Sequence, residues 1–385
     1  MSKWTNFEKI AALVAVVVLL AGVGWYVWQQ TSITGAFTLP SGGSVSVTVD
    51  SSSPLPGLLV ADTPDDKWLA VFRLAARGEA QNLRMFRITN DGAKNTIRTY
   101  MFYSDRDGHG NRVNPFLIGI VPGGQVGTLC VPPGMVKIPE NDFVRITVGI
   151  ILMPVDGYVV ENDALLQLTV ENPSRDVQTE GTMSGDAIYG DLSGSQDASR
   201  HYVFKSIPIA NLAPSSPSGN LIVSASTPIA VFGLAADLAG DITFIKKTPP
   251  DSANIQDNYI IFNLSYYLND VSQENTGEAL IKFLNKSDGT VLGSALVTLK
   301  PGSDYVTSAA LVFDLNSLRL PAGAYRNVEV RMNTIQFEDP GDWVLVWLQE
   351  KNENIGWGIA GNGNYQHGDI LFRGDIYAHK LVKAQ

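Results

Sequence analysis

The sequence predicts an all-β protein, one N-terminal transmembrane helix followed by two tandem β-sandwich domains, and three observations carry that expectation. Short runs alternate apolar and polar residues with a period of two, turn dipeptides rich in Gly, Pro and Asp separate them, and the second half repeats the order of features in the first. Composition agrees. Only 17% of the 385 residues are charged, below the usual quarter or so, while 36 Gly and 20 Pro supply punctuation.

Ile10 to Trp28 is an unbroken apolar run without a charge. At ~1.5 Å of rise per residue a helix there spans roughly 28 Å, the hydrocarbon thickness of a bilayer. Lys3 and Lys9 precede the run and no basic residue follows until Lys67, so residues 1–9 read as a cytoplasmic stub and the bulk of the chain as extracytoplasmic. Trp25, Tyr26 and Trp28 fall where an aromatic belt meets the outer headgroups, opposite Trp4 and Phe7. A cleaved signal peptide is the competing reading, with a cut near Gly35 or Ala36, but bulky aromatic residues occupy the place of its usual small-residue site. A type IV pilin precursor would need a glycine before Phe7, where Asn6 stands. Residues 29–43 then form a short polar stalk.

The first strand follows at once. In SVSVTVD, Val45, Val47 and Val49 share one face, and Ser46, Thr48 and Asp50 the other. The same alternation recurs in Val144, Ile146 and Val148, in Leu166, Leu168 and Val170, and in Val328, Val330 and Met332. Turn signals lie between the runs at Pro54, Asp107-Gly108, Gly123-Gly124, Pro132-Pro133-Gly134, Asp156-Gly157, Asp288-Gly289, Pro301-Gly302 and Pro340-Gly341. Many short strands so punctuated imply a sandwich.

Laid over the first half, the second half matches it in order and at nearly constant spacing. SVTVDSSSPLPGLLVAD pairs with LIVSASTPIAVFGLAAD through Pro54 and Pro228, FYSDRDG with FLNKSDG through Phe102 and Phe283, KIP with RLP through Pro139 and Pro321, and ALLQLTVE with WVLVWLQE through Glu171 and Glu350. This predicts repeat 1 over 44–209, a Pro/Ser spacer over 210–219 and repeat 2 over 220–385. DDKWLAVFRLAARGEA, from Asp65, has helical propensity, but its counterpart in this alignment, GDITFIKKT from Gly240, is β-branched; both are expected as strands. Each copy exceeds the about 100 residues of a minimal immunoglobulin sandwich, so extra strands or long loops are expected.

Several functions are excluded or left without support. A net charge of −10 provides no electrostatic footprint for nucleic acid. Cys130 is the one cysteine, so no intrachain disulfide and no cysteine-type zinc cluster can form; its expected role is a buried small hydrophobe rather than an interchain thiol. His109, His201, His367 and His379 are scattered, and no Gly-x-Ser-x-Gly, His-Glu-x-x-His or P-loop spacing occurs, so no catalytic residue is assigned and an enzyme is not expected. Glu338, Asp339 and Asp342 near Pro340 read as a solvated acidic turn rather than a glycosidase pair. Gly-rich WGIAGNGNYQHGD, from Trp357 to Asp369, reads as a long contact loop.

Two local candidates remain. In SDRDGHGN, Asp105, Asp107 and Asn111 have the oxygen-rich spacing of calcium loops, but the twelfth position, counted from Asp105, is Phe116 rather than an EF-hand glutamate, and the repeat keeps only Asp288-Gly289, the requirement of a hairpin turn. Calcium is the only cofactor the sequence suggests. Trp343 and Trp347, with Trp357 beyond, could stack sugars if exposed, yet Val344, Val346 and Leu348 make the strand's other face equally apolar, the mark of a buried central strand.

The opening strands SVSVTV and LIVSAS, each followed by a Pro and a Leu-Val-Ala or Leu-Ala-Ala run, the IPEND and LPAGA turns, and the closing GDILFRGDIYAHKLV resemble the tandem immunoglobulin-like or jelly-roll repeats of membrane-anchored bacterial surface proteins, including those of ultra-small bacteria. The resemblance covers nearly all of the chain beyond the anchor. It implies placement and shape: a single-pass cell-membrane protein that displays two sandwiches for structural or adhesive contact with envelope proteins, its own copies or glycans. The alternative is a carbohydrate-binding surface protein that uses the aromatic residues of the second domain.

Overall fold

The computed structural model describes residues 43–385, apart from the segments 62–65, 156–160, 193–195, 238–239, 246–257, 270–276 and 360–361 and positions 303, 314 and 373. The expected anchor, 10–28, and all of the stalk but Gly43 lie outside the described residues. Among the described residues no helix is long and apolar enough to cross a membrane. Residues 43–385 form one compact unit, and its described residues are mostly strands, with two α-helical turns, Pro173–Asp176 and Gly368–Leu371, and a 3-10 turn, Asn352–Asn354.

The first half runs β1 (Ser44–Val49), β2 (Gly57–Val60), β3 (Lys67–Arg77), β4 (Gln81–Asn90), β5 (Ile97–Arg106), β6 (Arg112–Pro122), β7 (Val126–Cys130), β8 (Lys137–Ile138), β9 (Phe143–Leu152), β10 (Ala164–Leu166), β11 (Leu168–Thr169), β12 (Val177–Gly181), β13 (Ala187–Leu192) and β14 (His201–Phe204). One sheet has the order β1-β3-β9-β5-β6. The other is centred on β4, with β7 and β8 along one side and β11 and β12 along the other. β13 joins the two by pairing with both β12 and β1. The period-two pattern selects the buried face: Val45, Val47, Val144, Ile146 and Val148 are fully buried, while Arg145 between them faces out.

The second half continues with β15 (Pro208–Leu212), β16 (Gly219–Asn220), β17 (Thr227–Ala236), β18 (Ile242–Phe244), β19 (Tyr259–Tyr267), β20 (Glu278–Asn285), β21 (Val291–Thr298), β22 (Tyr305–Val312), β23 (Leu318–Leu320), β24 (Tyr325–Met332), β25 (Trp343–Leu348), β26 (Ile355–Ile359), β27 (Asn362–Tyr365), β28 (Ile376–Tyr377) and β29 (Leu381–Val382). Its first sheet has the order β15-β17-β24-β20-β21, strand for strand that of β1-β3-β9-β5-β6. Its second is centred on β19, with β22 on one side and β25 and β26 on the other, as β4 lies between β7 and β11 with β12. Both sandwiches are closed by the same three rings. Phe86 of β4 bridges to Phe72 of β3 at 5.6 Å and Phe102 of β5 at 6.1 Å; Phe262 of β19 bridges to Phe232 of β17 at 5.1 Å and Phe283 of β20 at 5.2 Å.

Three of the four sequence matches fall on equivalent elements: the β5–β6 and β20–β21 hairpins, the Pro139 and Pro321 turns before β9 and β24, and β11 with β25. The first does not. Residues 227–236 take the place of β3, whereas Gly57–Val60 pairs with β14 in a separate small sheet. The true counterpart of IAVFGLAA, from Ile229, is LAVFRLAA, from Leu69. GDITFIKKT is likewise displaced: Ile242–Phe244 is a strand, as expected, but it pairs with β23 and β26 in the opposite sheet.

Other expectations change for physical reasons. Where the reading places a spacer, β15 is a sheet strand, Ala213 and Ser216 are buried, and the Ser216 hydroxyl accepts a hydrogen bond from the Val231 amide at 3.1 Å. Cys130 is exposed, because β7 alternates and Cys130 falls on its outward face. Trp357–Asp369 is not a long loop but holds the end of β26, its hairpin partner β27 and the start of a helical turn; just before it, a side chain at Gly356 would meet Asn364 of β27. The halves meet at β14, where Phe204 packs against Trp357 (5.6 Å) and Tyr365 (5.2 Å), Tyr202 stacks on His367 at 4.3 Å, and His367 Nε2 lies 2.6 Å from Asp163 Oδ1.

Because Phe86 and Phe262 each hold two sheets together, Phe86→Ala and Phe262→Ala should each lower the free energy of unfolding by about 3–5 kcal/mol in urea titrations.

Candidate functional site

The acidic loop at the end of β5 is tied into the protein's own hydrogen bonds. Asp107 Oδ1 accepts from the amides of His109 and Asn111, each at 2.9 Å, and Oδ2 from the Asn111 side chain at 3.3 Å. Burial opposes the Asp107 charge, but these bonds outweigh it and hold the carboxyl below its ordinary value. A Cβ at Gly108 would overlap the Gly134 carbonyl, so the turn needs a glycine there. Asp105 is directed elsewhere: Oδ1 accepts from the Arg145 amide at 2.8 Å, and Oδ2 lies 3.2 Å from Arg112 Nη1 and 3.6 Å from Arg145 Nη1. The three calcium candidates are thus neighbours in the fold, with Asp105 aimed at guanidinium groups.

Those guanidinium groups belong to a cluster that motif reading missed. Arg73, Arg112 and Arg145 lie over the Phe143 ring, 4.0, 4.6 and 5.0 Å from its centroid. Arg145 Nε donates to Asp50 Oδ2 at 3.0 Å. Burial opposes the Asp50 charge, but hydrogen bonds from the Ser52 hydroxyl and amide and from Arg145 place its carboxyl below the ordinary range. The sequence signal was the outward position of Arg145 in FVRITV, but nothing in it says that β3, β5 and β6 would bring partners there.

The tryptophans separate. On β25, Val344, Val346 and Leu348 enter the core, while Trp343, Leu345 and Trp347 stay partly exposed on the outer face. Tyr377 lies nearly parallel to Trp347 at 5.8 Å, and Lys380 Nζ is 3.7 Å from the Trp343 ring centroid. Trp357 is fully buried among Phe204, Tyr365 and His367 and takes no part in that face. In the acidic turn, Asp342 is buried and its carboxylate accepts from the amides of Asn269 (2.7 Å) and Asp339 (3.1 Å), so it fastens the turn.

The sheet edges differ between the halves. β6 and β21 are equivalent edge strands, each pairing with one neighbour among the described residues, as do β7 and β22. β6 carries Arg112, Pro115 and Pro122, features that blunt an edge. VLGSALVT of β21 and YVTSAALV of β22 carry neither charge nor proline, and Leu296 (63%) and Val306 (68%) project into solvent.

No family model matches the chain, and no curated protein matches it. Among solved structures it is similar to the collagen adhesin from S. aureus (9% identity, 91% of this chain and 96% of that one, TM-score 0.15). It is also similar to the CupB6 tip adhesin from Pseudomonas aeruginosa (10%, 89% and 99%, 0.16) and the major pilin from Streptococcus pyogenes (8%, 79% and 99%, 0.13).

The Asp50 carboxyl, held below the ordinary value of an aspartate, adds stability above about pH 4 that is lost as pH falls through its lower folded value. Asp50→Asn should therefore cost about 1–3 kcal/mol at pH 7, with the difference from the parent shrinking below pH 4 in denaturant titrations across pH.

Proposed function

We infer that the protein is an extracytoplasmic structural or adhesive component of the cell envelope, held at the membrane by its N-terminal helix with residues 1–9 inside, and that it works by joining copies of itself. The observation that carries this reading is the pair of uncharged, proline-free strands β21 and β22, which lie beside one another and each pair with one neighbour among the described residues. An edge strand exposes unpaired amides and carbonyls, and chains that stay single usually guard such edges with charge, proline or bulges. The first half follows that rule at β6 with charge and proline, whereas β21 has a bulge at Leu292, whose carbonyl accepts from the amides of Leu315 and Asn316, and carries neither charge nor proline. A neighbouring copy that adds a strand there would satisfy the free backbone groups and cover Leu296 and Val306.

A second reading, glycan contact, draws on the partly exposed Trp343 and Trp347, whose spacing of four residues along a strand corresponds to about 13 Å. It is the weaker of the two, because Tyr377 and Lys380 already occupy part of the ring surfaces that a sugar would use.

Sedimentation of residues 43–385 over a range of concentrations tests assembly. The expected result is reversible association that Leu296→Lys or Val306→Lys abolishes while β6 variants such as Ile120→Lys leave it intact. A single monomeric species at every concentration would contradict it.

A further inference from the structure

Beside the arginine cluster, on the outer face of the first sandwich, lies a cavity of about 370 Å³ whose lining includes Trp68, Val71, Asp105, Arg112, Val113 and Arg145. Its volume is at the small end of the about 300–1,000 Å³ usual for small-molecule sites. We propose that it binds a carboxylate-bearing sugar, one hexuronate unit of an acidic polysaccharide.

Charge gives the first part of the argument. The Arg112 and Arg145 side chains are 47% and 35% exposed, whereas their partners Asp105 and Asp50 are 12% and 5% exposed. The guanidinium groups are therefore the more exposed charges, with Asp50 nearly buried and Asp105 lining the cavity wall beside them. Arg73, also exposed, adds a third guanidinium over Phe143. The cluster is ion-paired, Arg112 also lying 3.9 Å from Asp142, but the guanidinium groups are its more exposed members, and they favour planar carboxylates through paired N–H donors.

The walls give the second part. Val71, Val113 and the half-exposed Trp68 ring are apolar, so a bare inorganic anion would leave most of the lining unused. Trp68 is 48% exposed and sits 6.0 Å from Tyr103. Its open surface suits the C–H face of a pyranose, as aromatic rings do in sites with one apolar and one wet side. A ligand with a carboxylate at one end and a flat apolar face at the other satisfies both parts, and a hexuronate has that form.

The site is separate from the β21–β22 edge, so the inference goes beyond the assembly reading and does not depend on it. Calorimetric titration of the full chain in detergent micelles with a galacturonate trimer and with the matching galactose trimer tests it. The expected result is binding of the acidic trimer alone, weakened by added salt and reduced about tenfold or more in Arg112→Gln and in Trp68→Ala. Both substitutions are at exposed positions, and circular dichroism reports that the variants are folded. Equal binding of the two trimers, binding unchanged in both folded variants, or no heat from either trimer would overturn the proposal.

Discussion

Sheet-to-sheet packing through Phe86 and Phe262 is the constraint on which the structure depends. Each ring is fully buried and touches two phenylalanines of the facing sheet, so it sets both the distance between sheets and the pairing of strands across them. A chain without a disulfide has no covalent substitute for such contacts. The same three-ring arrangement in both halves, on strands of the same order, is what a duplicated sandwich would retain longest.

Much of this fold was legible in the sequence because period-two alternation is a direct consequence of strand geometry. Val144, Ile146 and Val148 could face only one way once one side of the sheet was dry. The repeated strand order was legible too, but the alignment at Pro54 and Pro228 misses LAVFRLAA against IAVFGLAA, which share six residues. The helical propensity of the first copy and the different spacing there concealed it. The hairpin at Trp357 was hidden for another reason: glycines look like loop signals, yet Gly356 lies within β26, where a side chain would meet Asn364 of β27, and Gly363 takes a positive φ within β27.

The surface was much less legible. Alternation assigned Trp343 and Trp347 to an apolar face but could not say whether another layer covers that face; β25 proves to pack on one side only. Asp105 looked like a metal ligand because its partners, Arg112 and Arg145, come from other strands, and long-range pairing of charges leaves no local pattern. The lack of charge in VLGSALVT and YVTSAALV was readable all along, but it gained meaning only when the sheets showed both strands to be edges. What distinguishes the halves is therefore placed outside the shared core, in edge chemistry and in the arginine-lined cavity.

Amide hydrogen exchange of residues 43–385, followed strand by strand at low and high protein concentration, examines the account most directly. Free edge amides exchange quickly, and a strand contributed by another copy would protect them. The account predicts that concentrating the protein slows exchange in β21 and β22 and leaves β6 as fast as before. Uniform exchange at all concentrations, or protection confined to β6, would contradict it.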